Sequence, residues 1–391
     1  MAESLRILIA PDKFKGTLTA VDAASAIASG ICAVMPDAVV QELPIADGGE
    51  GTVDVVDAAG GLRHSCSVKG PVGGVFRADW ASIGGWAVVE LAAACGLQLL
   101  EPSIETARLA NTEGAGEMIL DALDQGFRRI ALGLGGSAST DGGTGLLHAL
   151  GARFLGPDGR EITPNGANLR SITEVDLAGL DTRLGEAEIV ACCDVEAPLL
   201  GLTGAAAVYG PQKGADFATV AELDAGLANL ATALRDRTGR DAASIAWGGA
   251  AGGVAGGLYA ALGSRFESGF DRVADLLDLD RRLDHTDLVV VGEGRLDHQS
   301  ITGKAPIALA RRARARSIPV LAVVGELTVD EHSLAANGIS VAASTLAEAG
   351  SAAAAVTEPA LWVTRAAQTA IRHHLAGDHH MGVAEVAQTW S

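Results

Sequence analysis

Short runs of branched apolar residues alternate along the chain with longer segments whose apolar residues recur every three or four positions. The first run, Leu5 to Ala10, ends at Pro11, and helical spacing follows from Ala20 to Val34. This pattern predicts a strand followed by a helix, because a helix buries one face whereas a buried strand is short and continuously apolar. The same alternation predicts strands at 38–45, 288–291, 320–324 and 339–343 and helices at 52–59, 306–315 and 361–375.

The middle of the chain has a different pattern. Between Val68 and Glu90, apolar and polar residues alternate around two glycine pairs, which predicts antiparallel strands. Strands are then predicted at 129–134 and 188–193, and helices at 112–125, 143–150 and 220–238. Alternating strands and helices favour a parallel sheet covered by helices. We therefore predict an α/β fold of two domains: a flavodoxin-like or Rossmann-like parallel sheet built from both chain ends, residues 1–66 and 285–391, and an inserted domain with a mixed sheet, residues 67–284.

Composition narrows the class of protein. A length of 391 residues suits two domains, and 48% apolar but only 4% aromatic residues predict a core of Ala, Val, Leu and Ile. The net charge of −19, with no basic stripe, argues against a nucleic-acid partner. No apolar run approaches the roughly 20 residues of a membrane span, and the start of the chain lacks a signal-peptide pattern. We expect a cytoplasmic protein, monomeric or homodimeric, without a membrane partner.

The chain's 50 glycines cluster at the ends of predicted strands, most clearly in RIALGLGGSASTDGGTG at 129–145. A strand, a glycine-rich loop and a helix start in that order predict an anion site made of backbone N–H groups. Ser137 adds a hydroxyl, and Asp141 could hold a cation. The run from Gly133 also fits the dinucleotide pattern GxGxxG/A, but its candidate acidic partner, Asp158, lies in a predicted turn. A simple helix-packing turn is the alternative.

Charged residues follow the first two predicted strands. Asp12, Lys13 and Lys15 follow the first strand, and Asp47 follows the second, within ADGGEGT. Ligands of open α/β sheets bind beyond the carboxyl ends of the strands. Carboxylates there suit Mg²⁺ or a substrate hydroxyl, and lysines suit phosphate or carboxylate groups. Solvated turns are the alternative in both places.

Charged and glycine-rich segments recur in the second half of the predicted inserted domain. Asp194 ends an apolar strand, where partial burial would raise the pKa of its carboxyl and suit a general base. Capping of the next helix is the alternative role. Lys213 lies between glycines in GPQKGAD. The dense run GGAAGGVAGG at 248–257 is either a phosphate cradle or a tightly packed helix of small residues.

The last cluster is VVVGEGRLDHQSITGKAP at 289–306. A predicted strand ends at Gly–Glu293–Gly, and Asp297 and Lys304 precede a predicted helix. The segment is not a Walker A loop, because Ala305 follows Lys304 where that loop needs Ser or Thr.

Six of these segments occur in the same order in the glycerate kinase family, which the chain resembles from about residue 5 to 375. They are IAPDKFKGTLTA, PIADGGEGT, GLGGSASTDGGTG, CDV followed by GAAAVYGPQKGA, GGAAGGVAGG and VVGEGRLDHQSITGKAP. The chain departs from the family at Thr140, where Asn is usual. The resemblance implies two α/β domains and transfer of the γ-phosphate of ATP to a hydroxyl of D-glycerate, assisted by Mg²⁺. It favours 2-phosphoglycerate over 3-phosphoglycerate as the product.

Phosphoryl transfer requires positioning and charge neutralisation. Given the resemblance, we predict catalytic roles for Asp194 as general base, Lys13 and Asp297; substrate binding by Asp12, Lys15, Asp47 and Lys213; nucleotide binding by Gly135, Gly136, Ser137, Asp141, Gly252, Gly253 and Lys304; and Mg²⁺ binding by Asp47 and Glu293. Two other functions remain open from the residues alone. One is a nicotinamide-dependent oxidoreductase, which would change nicotinamide absorbance, and the other is a sensor that binds a small acid without turnover.

Overall fold

The computed structural model describes residues 4–377 except Val195, Thr302 and Gly303. The strands, in chain order, are β1 (Arg6–Pro11), β2 (Val39–Glu42), β3 (Leu62–Lys69), β4 (Val75–Ile83), β5 (Trp86–Glu90), β6 (Arg129–Gly133), β7 (Arg153–Leu155), β8 (Glu174–Asp176), β9 (Glu188–Cys192), β10 (Arg265–Glu267), β11 (Leu288–Leu296), β12 (Val320–Leu327) and β13 (Ile339–Ser344).

The α-helices lie between these strands and after the last one. They are α1 (Ala20–Val34), α2 (Thr52–Ala58), α3 (Leu91–Cys95), α4 (Ile104–Leu109), α5 (Glu113–Asp124), α6 (Thr144–Ala149), α7 (Ala205–Tyr209), α8 (Phe217–Thr238), α9 (Val254–Leu262), α10 (Gly269–Leu276), α11 (Leu279–Leu283), α12 (His298–Ile301), α13 (Ala305–Ala315), α14 (Glu331–Ala336), α15 (Thr345–Ala349), α16 (Ala352–Thr357) and α17 (Pro359–Ala376).

The chain divides into two compact units, and the first is formed by the chain up to Asp47 together with the chain from Val273 onward. Its five strands are all parallel, in the order β13-β12-β11-β1-β2. Numbered within this unit, that order is 2-1-3-4-5, which is the flavodoxin-like arrangement. Helices α1 and α17 pack together on the sheet, and their contact includes a hydrogen bond from Thr364 Oγ1 to the Ala26 carbonyl (3.0 Å). The predicted parallel sheet from both chain ends is confirmed.

This strand order contains a topological switch point between β1 and β11. Successive connections leave these two strands in opposite directions, which opens a crevice at their carboxyl ends. The apolar runs of both strands are buried, so the first solvent-accessible groups on this edge come from the residues that follow them. The edge of the sheet thus determines where charged side chains of this unit meet.

The second unit is Gly48–Arg272. Its main sheet has the order β10-β9-β6-β5-β4-β3, in which β10, β9, β6 and β5 are parallel. The antiparallel strands predicted between Val68 and Glu90 are confirmed, because β3 pairs with β4 and β4 with β5 in antiparallel register. A small antiparallel pair of strands, β7 and β8, lies outside this sheet. Trp80, Met118 and Phe154 are among the fully buried side chains of the core.

Several predicted bounds differ from the structure. Strand β2 is shorter than the predicted 38–45, whereas β11 and β12 run on to Leu296 and Leu327 through a polar stretch in which Arg295 lies opposite Glu326. The sequence did not predict this extension, because its residues are polar. The strands continue there through backbone pairing, which an apolar pattern does not report. The domain boundaries near residues 66 and 284 stay predictions, and residues 378–391 of the predicted C-terminal segment lie outside the described residues. Within residues 4–377, as far as they are described, no helix has both the length and the apolar character to cross a membrane.

Candidate active site

Three carboxylates of the first unit meet at the switch point, and we call Asp12, Asp47 and Glu293 the acid cluster. Asp12 follows β1, and its backbone N–H donates to the Gly292 carbonyl of β11 (2.8 Å). Glu293 is the next residue of β11. Asp47 is held nearby because the Ile45 N–H donates to the carbonyl of the residue before Asp12 (2.9 Å). The fold therefore brings together three acidic residues that the sequence predicted as site residues in three separate segments.

Burial and mutual repulsion disfavour ionisation in the acid cluster. Burial raises the pKa of Glu293 to about 7, against the opposing effect of the Lys304 ammonium. Burial, and then the charge of Asp47, raises the pKa of Asp12 to about 7. The Lys13 N–H opposes this rise by donating to Asp12 Oδ1 (2.7 Å). A bound cation would relieve the repulsion between these carboxylates.

The acid cluster fits a magnesium ion that shares its coordination with phosphate. Glu293 is only 5% exposed, and its buried Oε1 has no hydrogen-bond partner among the residues that the structure describes. Mg²⁺ usually takes one or two carboxylates and completes its shell with water and substrate phosphates. Over the same residues, no group of three or more His, Cys, Asp or Glu side chains is arranged to hold a metal alone. These side chains therefore suit a magnesium ion that is also coordinated by water or phosphate.

Lys304 and Asp297 border the acid cluster in different ways. Lys304 precedes α13, and its Nζ lies 3.6 Å from Glu293 Oε2 and 3.4 Å from Ser300 Oγ, to which it donates. Asp297 accepts the Ser300 N–H (3.1 Å) and lies 3.5 Å from Arg295 Nε. Lys304 thus places positive charge beside the cluster, whereas the Asp297 carboxylate organises the turn that leads into α12.

A cavity of about 200 Å³ opens at the same edge of this sheet. Its polar lining includes Lys15, Glu326 and the backbone at Gly294 and Gly325, and Lys15 is exposed to solvent. The rest of the lining is formed by Phe14, Thr17, Thr345, Leu346, Ala352, Ala355, Val356, Pro359 and Val363. Lys15 therefore offers a cation at the rim of a largely apolar cavity.

In the second unit, residues 133–145 form what we call the glycine loop, between β6 and α6. Its tip is exposed at Gly135 and Gly136, and Gly136 has φ +76°, which favours glycine. Neither residue donates its backbone N–H to another group in the described part of the chain. Two adjacent unpaired N–H groups are suited to an anion. Asp158 lies in an exposed turn, so the dinucleotide pattern lacks its acidic partner at a strand end.

The base of the glycine loop is organised by Asp141, which is fully buried. Its Oδ2 accepts from the Thr112 N–H (2.9 Å), the Thr112 hydroxyl (2.8 Å) and the Gly145 N–H (3.0 Å). Its Oδ1 accepts from the Gly143 N–H (3.1 Å). Because both oxygens face N–H and O–H donors, the carboxylate holds the start of α6, and its predicted nucleotide contact stays a prediction. Ser137 Oγ lies 3.1 Å from Ser139 Oγ within the loop.

Lys213 is placed beneath the glycine loop and not at a surface. It is 2% exposed, and its Nζ donates to the Ser139 carbonyl (2.5 Å). Burial lowers the pKa of Lys213 to about 8, while Asp141 and Cys95 act in the opposite direction. The predicted contact of Lys213 with substrate stays untested, and its observed partner is the protein backbone.

Asp194 caps a helix, but this helix is α10 and not the segment that follows Asp194 in the chain. Its Oδ1 accepts from Ser268 Oγ (2.7 Å) and from the Gly269 N–H (2.9 Å), and its Oδ2 accepts from the Phe270 N–H (3.3 Å). These are groups at the start of α10. The expected partial burial is not found, because Asp194 is exposed. Its predicted role as general base therefore cannot rest on desolvation.

The glycine run 248–257 leads into α9 and packs closely on the glycine loop. A Cβ at Gly252 would lie 2.0 Å from the Ser139 carbonyl oxygen, and one at Gly257 would lie 2.0 Å from the Gly142 carbonyl oxygen. These approaches favour the tightly packed helix of small residues over a phosphate cradle. Gly252 and Gly253 are buried, and their predicted contact with nucleotide stays a prediction.

Two polar residues that the sequence did not single out also organise this unit. Thr112 anchors Asp141, as described above. Glu90, at the end of β5, is 7% exposed and accepts the Val53 N–H of α2 (2.6 Å). The sequence could have indicated Glu90, because it directly follows the apolar run Trp86–Val89, and acids at the ends of other strands did indicate site residues.

The chain is similar to known proteins over most of its length. The model of the glycerate kinase family matches residues 7–375. The glycerate 2-kinase of Escherichia coli is 40% identical over 350 residues, covering 88% of this chain and 92% of that protein. The glycerate kinase of Halalkalibacterium halodurans is 39% identical over 339 residues, covering 86% and 89%. A crystal structure of a proposed glycerate kinase 2 from Salmonella typhimurium LT2 has a TM-score of 0.82 and 37% identity, and covers 97% of this chain and 100% of that one. The chain belongs to the glycerate kinase family.

Proposed function

We propose that the protein transfers the γ-phosphate of ATP to a hydroxyl of D-glycerate and forms 2-phosphoglycerate. The observation that carries this proposal is the acid cluster at the switch point, with the Lys304 ammonium beside it. Phosphoryl transfer needs a divalent cation and fixed positive charge next to the transferring group. The names of two relatives, glycerate kinase and glycerate 2-kinase, support glycerate as the acceptor and its 2-hydroxyl as the site of phosphorylation.

Asp47 and Glu293 are the residues that would hold Mg²⁺. Such an ion neutralises charge on the β- and γ-phosphates when it is bound. Lys304 favours the ionised form of Glu293 and adds a cation for the nucleotide. Asp12 accepts hydrogen bonds from glycerate hydroxyls, and Lys13 and Lys15 bind anionic groups of the substrates, since an ammonium suits both carboxylate and phosphate.

In the second unit, the N–H groups of Gly135 and Gly136 bind an anionic oxygen of the nucleotide. Ser137 supports this tip from within the loop. Asp194 accepts the proton of the attacking hydroxyl as general base, and its hydrogen bonds to the start of α10 fix the orientation of the carboxylate. Cap and base functions can coexist, because a carboxylate has two oxygens with about four lone-pair positions between them.

The decisive experiment is an assay of ADP release with purified protein, ATP, Mg²⁺ and D-glycerate, with the product position determined by phosphorus NMR. We expect ADP release that depends on D-glycerate and a resonance from phosphate on the 2-hydroxyl. A 3-phosphoglycerate resonance would overturn the regiochemistry alone. Absence of ADP release with D-glycerate would overturn the activity. Replacement of Mg²⁺ by EDTA should abolish turnover, and turnover that survives would remove the metal from the proposal.

A further inference from the structure

A buried lysine and a buried aspartate lie under the glycine loop of the second unit. Lysine is almost never fully buried unless it is paired, yet Lys213 is 2% exposed. It ends the 3₁₀ turn Pro211–Lys213, and Gly214 follows with φ +98°. A Cβ at Gly214 would lie 2.2 Å from the Ser103 nitrogen, so this turn is packed tightly against its neighbour. The lysine is thus directed inward by a closely fitted backbone.

The two charges hold neighbouring peptide groups of one loop. The Lys213 ammonium donates to the carbonyl of Ser139 (2.5 Å), and the Asp141 carboxylate accepts from the N–H groups of Gly143 and Gly145. These contacts begin three residues after Gly136, whose N–H belongs to the exposed tip. Hydrogen bonds to charged groups contribute more than neutral ones and are directional. The orientation of the tip is therefore set from below by a cation and an anion.

The charged and titratable groups that face Lys213 are few. They are Asp141 and Cys95, and a negative charge on either one favours the protonated form of Lys213. Burial raises the pKa of the Cys95 thiol well above its usual value, so this group is neutral at physiological pH. Cys95 also fixes the loop through its carbonyl, which accepts the Ala138 N–H (2.9 Å). Asp141 is consequently the residue whose negative charge compensates the buried ammonium.

We propose that Lys213 is a positioning residue, whose ammonium holds the Ser139 carbonyl so that the N–H groups of Gly135 and Gly136 stay directed at an anionic oxygen of the nucleotide. The consequence for the reaction rests on the proposed kinase function. The effect on the loop itself does not. Loss of the ammonium leaves the Ser139 carbonyl with only a long hydrogen bond from Ser137 Oγ (3.5 Å). The neighbouring Thr140 hydroxyl is buried and already has no partner in the described part of the chain. The loop then loses its preferred orientation, and nucleotide binding weakens while the chemistry of the acceptor is untouched.

The test compares Lys213→Met with wild type and with Lys69→Met, a lysine on the surface of the same unit that pairs with Glu113. Amide hydrogen exchange of peptides covering 133–145 is measured without ligand. We expect exchange to accelerate about tenfold or more in Lys213→Met, as for loss of one charge-assisted hydrogen bond, and not in Lys69→Met. Unchanged exchange in Lys213→Met would overturn the proposal whether or not the protein is a glycerate kinase.

Kinetics supply the second readout. In Lys213→Met we expect the KM for ATP to rise about tenfold or more, with the KM for glycerate changed less than about twofold. In wild type, the KM for ATP should rise as pH increases through about 8, where Lys213 loses its proton. This pH profile needs no variant, so it decides the question even if Lys213→Met fails to fold. A KM for ATP that stays constant from neutral pH to above the pKa of Lys213 would overturn the proposal.

Discussion

Replacement of Asp194 by Asn separates its cap from its proposed base function. Asn keeps one acceptor oxygen for the Gly269 N–H but turns an NH₂ group towards the Phe270 N–H, which Asp194 now accepts at 3.3 Å. Truncation of a cap to Ala costs about 1 kcal/mol, or roughly 2–4 °C in Tm for a unit of this size, and Asn is itself a good cap, so Asp194→Asn should lose no more than that. Loss of a general base lowers kcat about 10²–10⁴-fold, equivalent to about 3–5 kcal/mol of barrier. Thermal unfolding and steady-state ADP release measure the two effects on one protein sample.

Asp216→Asn is the matched control, because Asp216 caps α8 in the same unit by accepting the Thr219 N–H (2.8 Å). We expect a similar small fall in Tm for both variants, with kcat reduced only in Asp194→Asn. A kcat within about tenfold of wild type in Asp194→Asn would refute the base assignment, since a base contributes more than that. A cap role would then account for the hydrogen bonds that Asp194 accepts from Ser268, Gly269 and Phe270.

Three further predictions concern the packing and the electrostatics. Gly30→Ala is a change that is normally favourable inside a helix, but it should lower the free energy of unfolding by about 1–3 kcal/mol, because its Cβ would lie 2.4 Å from the Thr364 carbonyl oxygen of α17. The control is Gly185→Ala, which has open space around it and should change the free energy of unfolding by less than about 0.5 kcal/mol in the same denaturant titration. Without metal, the free energy of unfolding of the wild type should fall as pH rises from about 4.5 to about 7, because the pKa of Glu293 is higher in the folded than in the unfolded state. Glu293→Gln should make this pH dependence less steep, and equal slopes in the two proteins would contradict the raised pKa. Asp141→Asn should cost about 3–5 kcal/mol in unfolding free energy, and a loss below about 1 kcal/mol would show that its buried hydrogen bonds are replaceable.

Local pattern predicted the long elements well. The strands β1, β6 and β9 and the helices α1, α8 and α17 lie close to their predicted bounds, because each has a sustained apolar period and a clear cap or breaker. Elements such as α4, α14 and the paired strands β7 and β8 were not predicted. They are only three to six residues long, so their stability comes from tertiary contacts that no local period reports.

The candidate site was predictable as a set of residues but not as an arrangement. Acids at strand ends pointed to Asp12, Asp47 and Glu293, and the sheet order that unites them became visible only in the structure. The burial of Lys213 could not be predicted, since a lysine between glycines is ordinarily a solvated turn. Asp194 likewise differs from expectation, because the apolar strand before it says nothing about the exposure of the residue that follows.

The first unit is discontinuous in sequence, and this affects how the chain is made. Strand β1 has its central-sheet neighbour in β11, where Ile7 lies opposite Leu288. During synthesis from the N-terminus, the intervening Gly48–Arg272 unit is complete before that neighbour emerges, so it has the opportunity to fold first. Until then β1 presents an unpaired apolar edge, and closing so long a loop slows its pairing. Newly made chains should therefore depend on chaperones at this stage more than the stability of the finished protein would indicate.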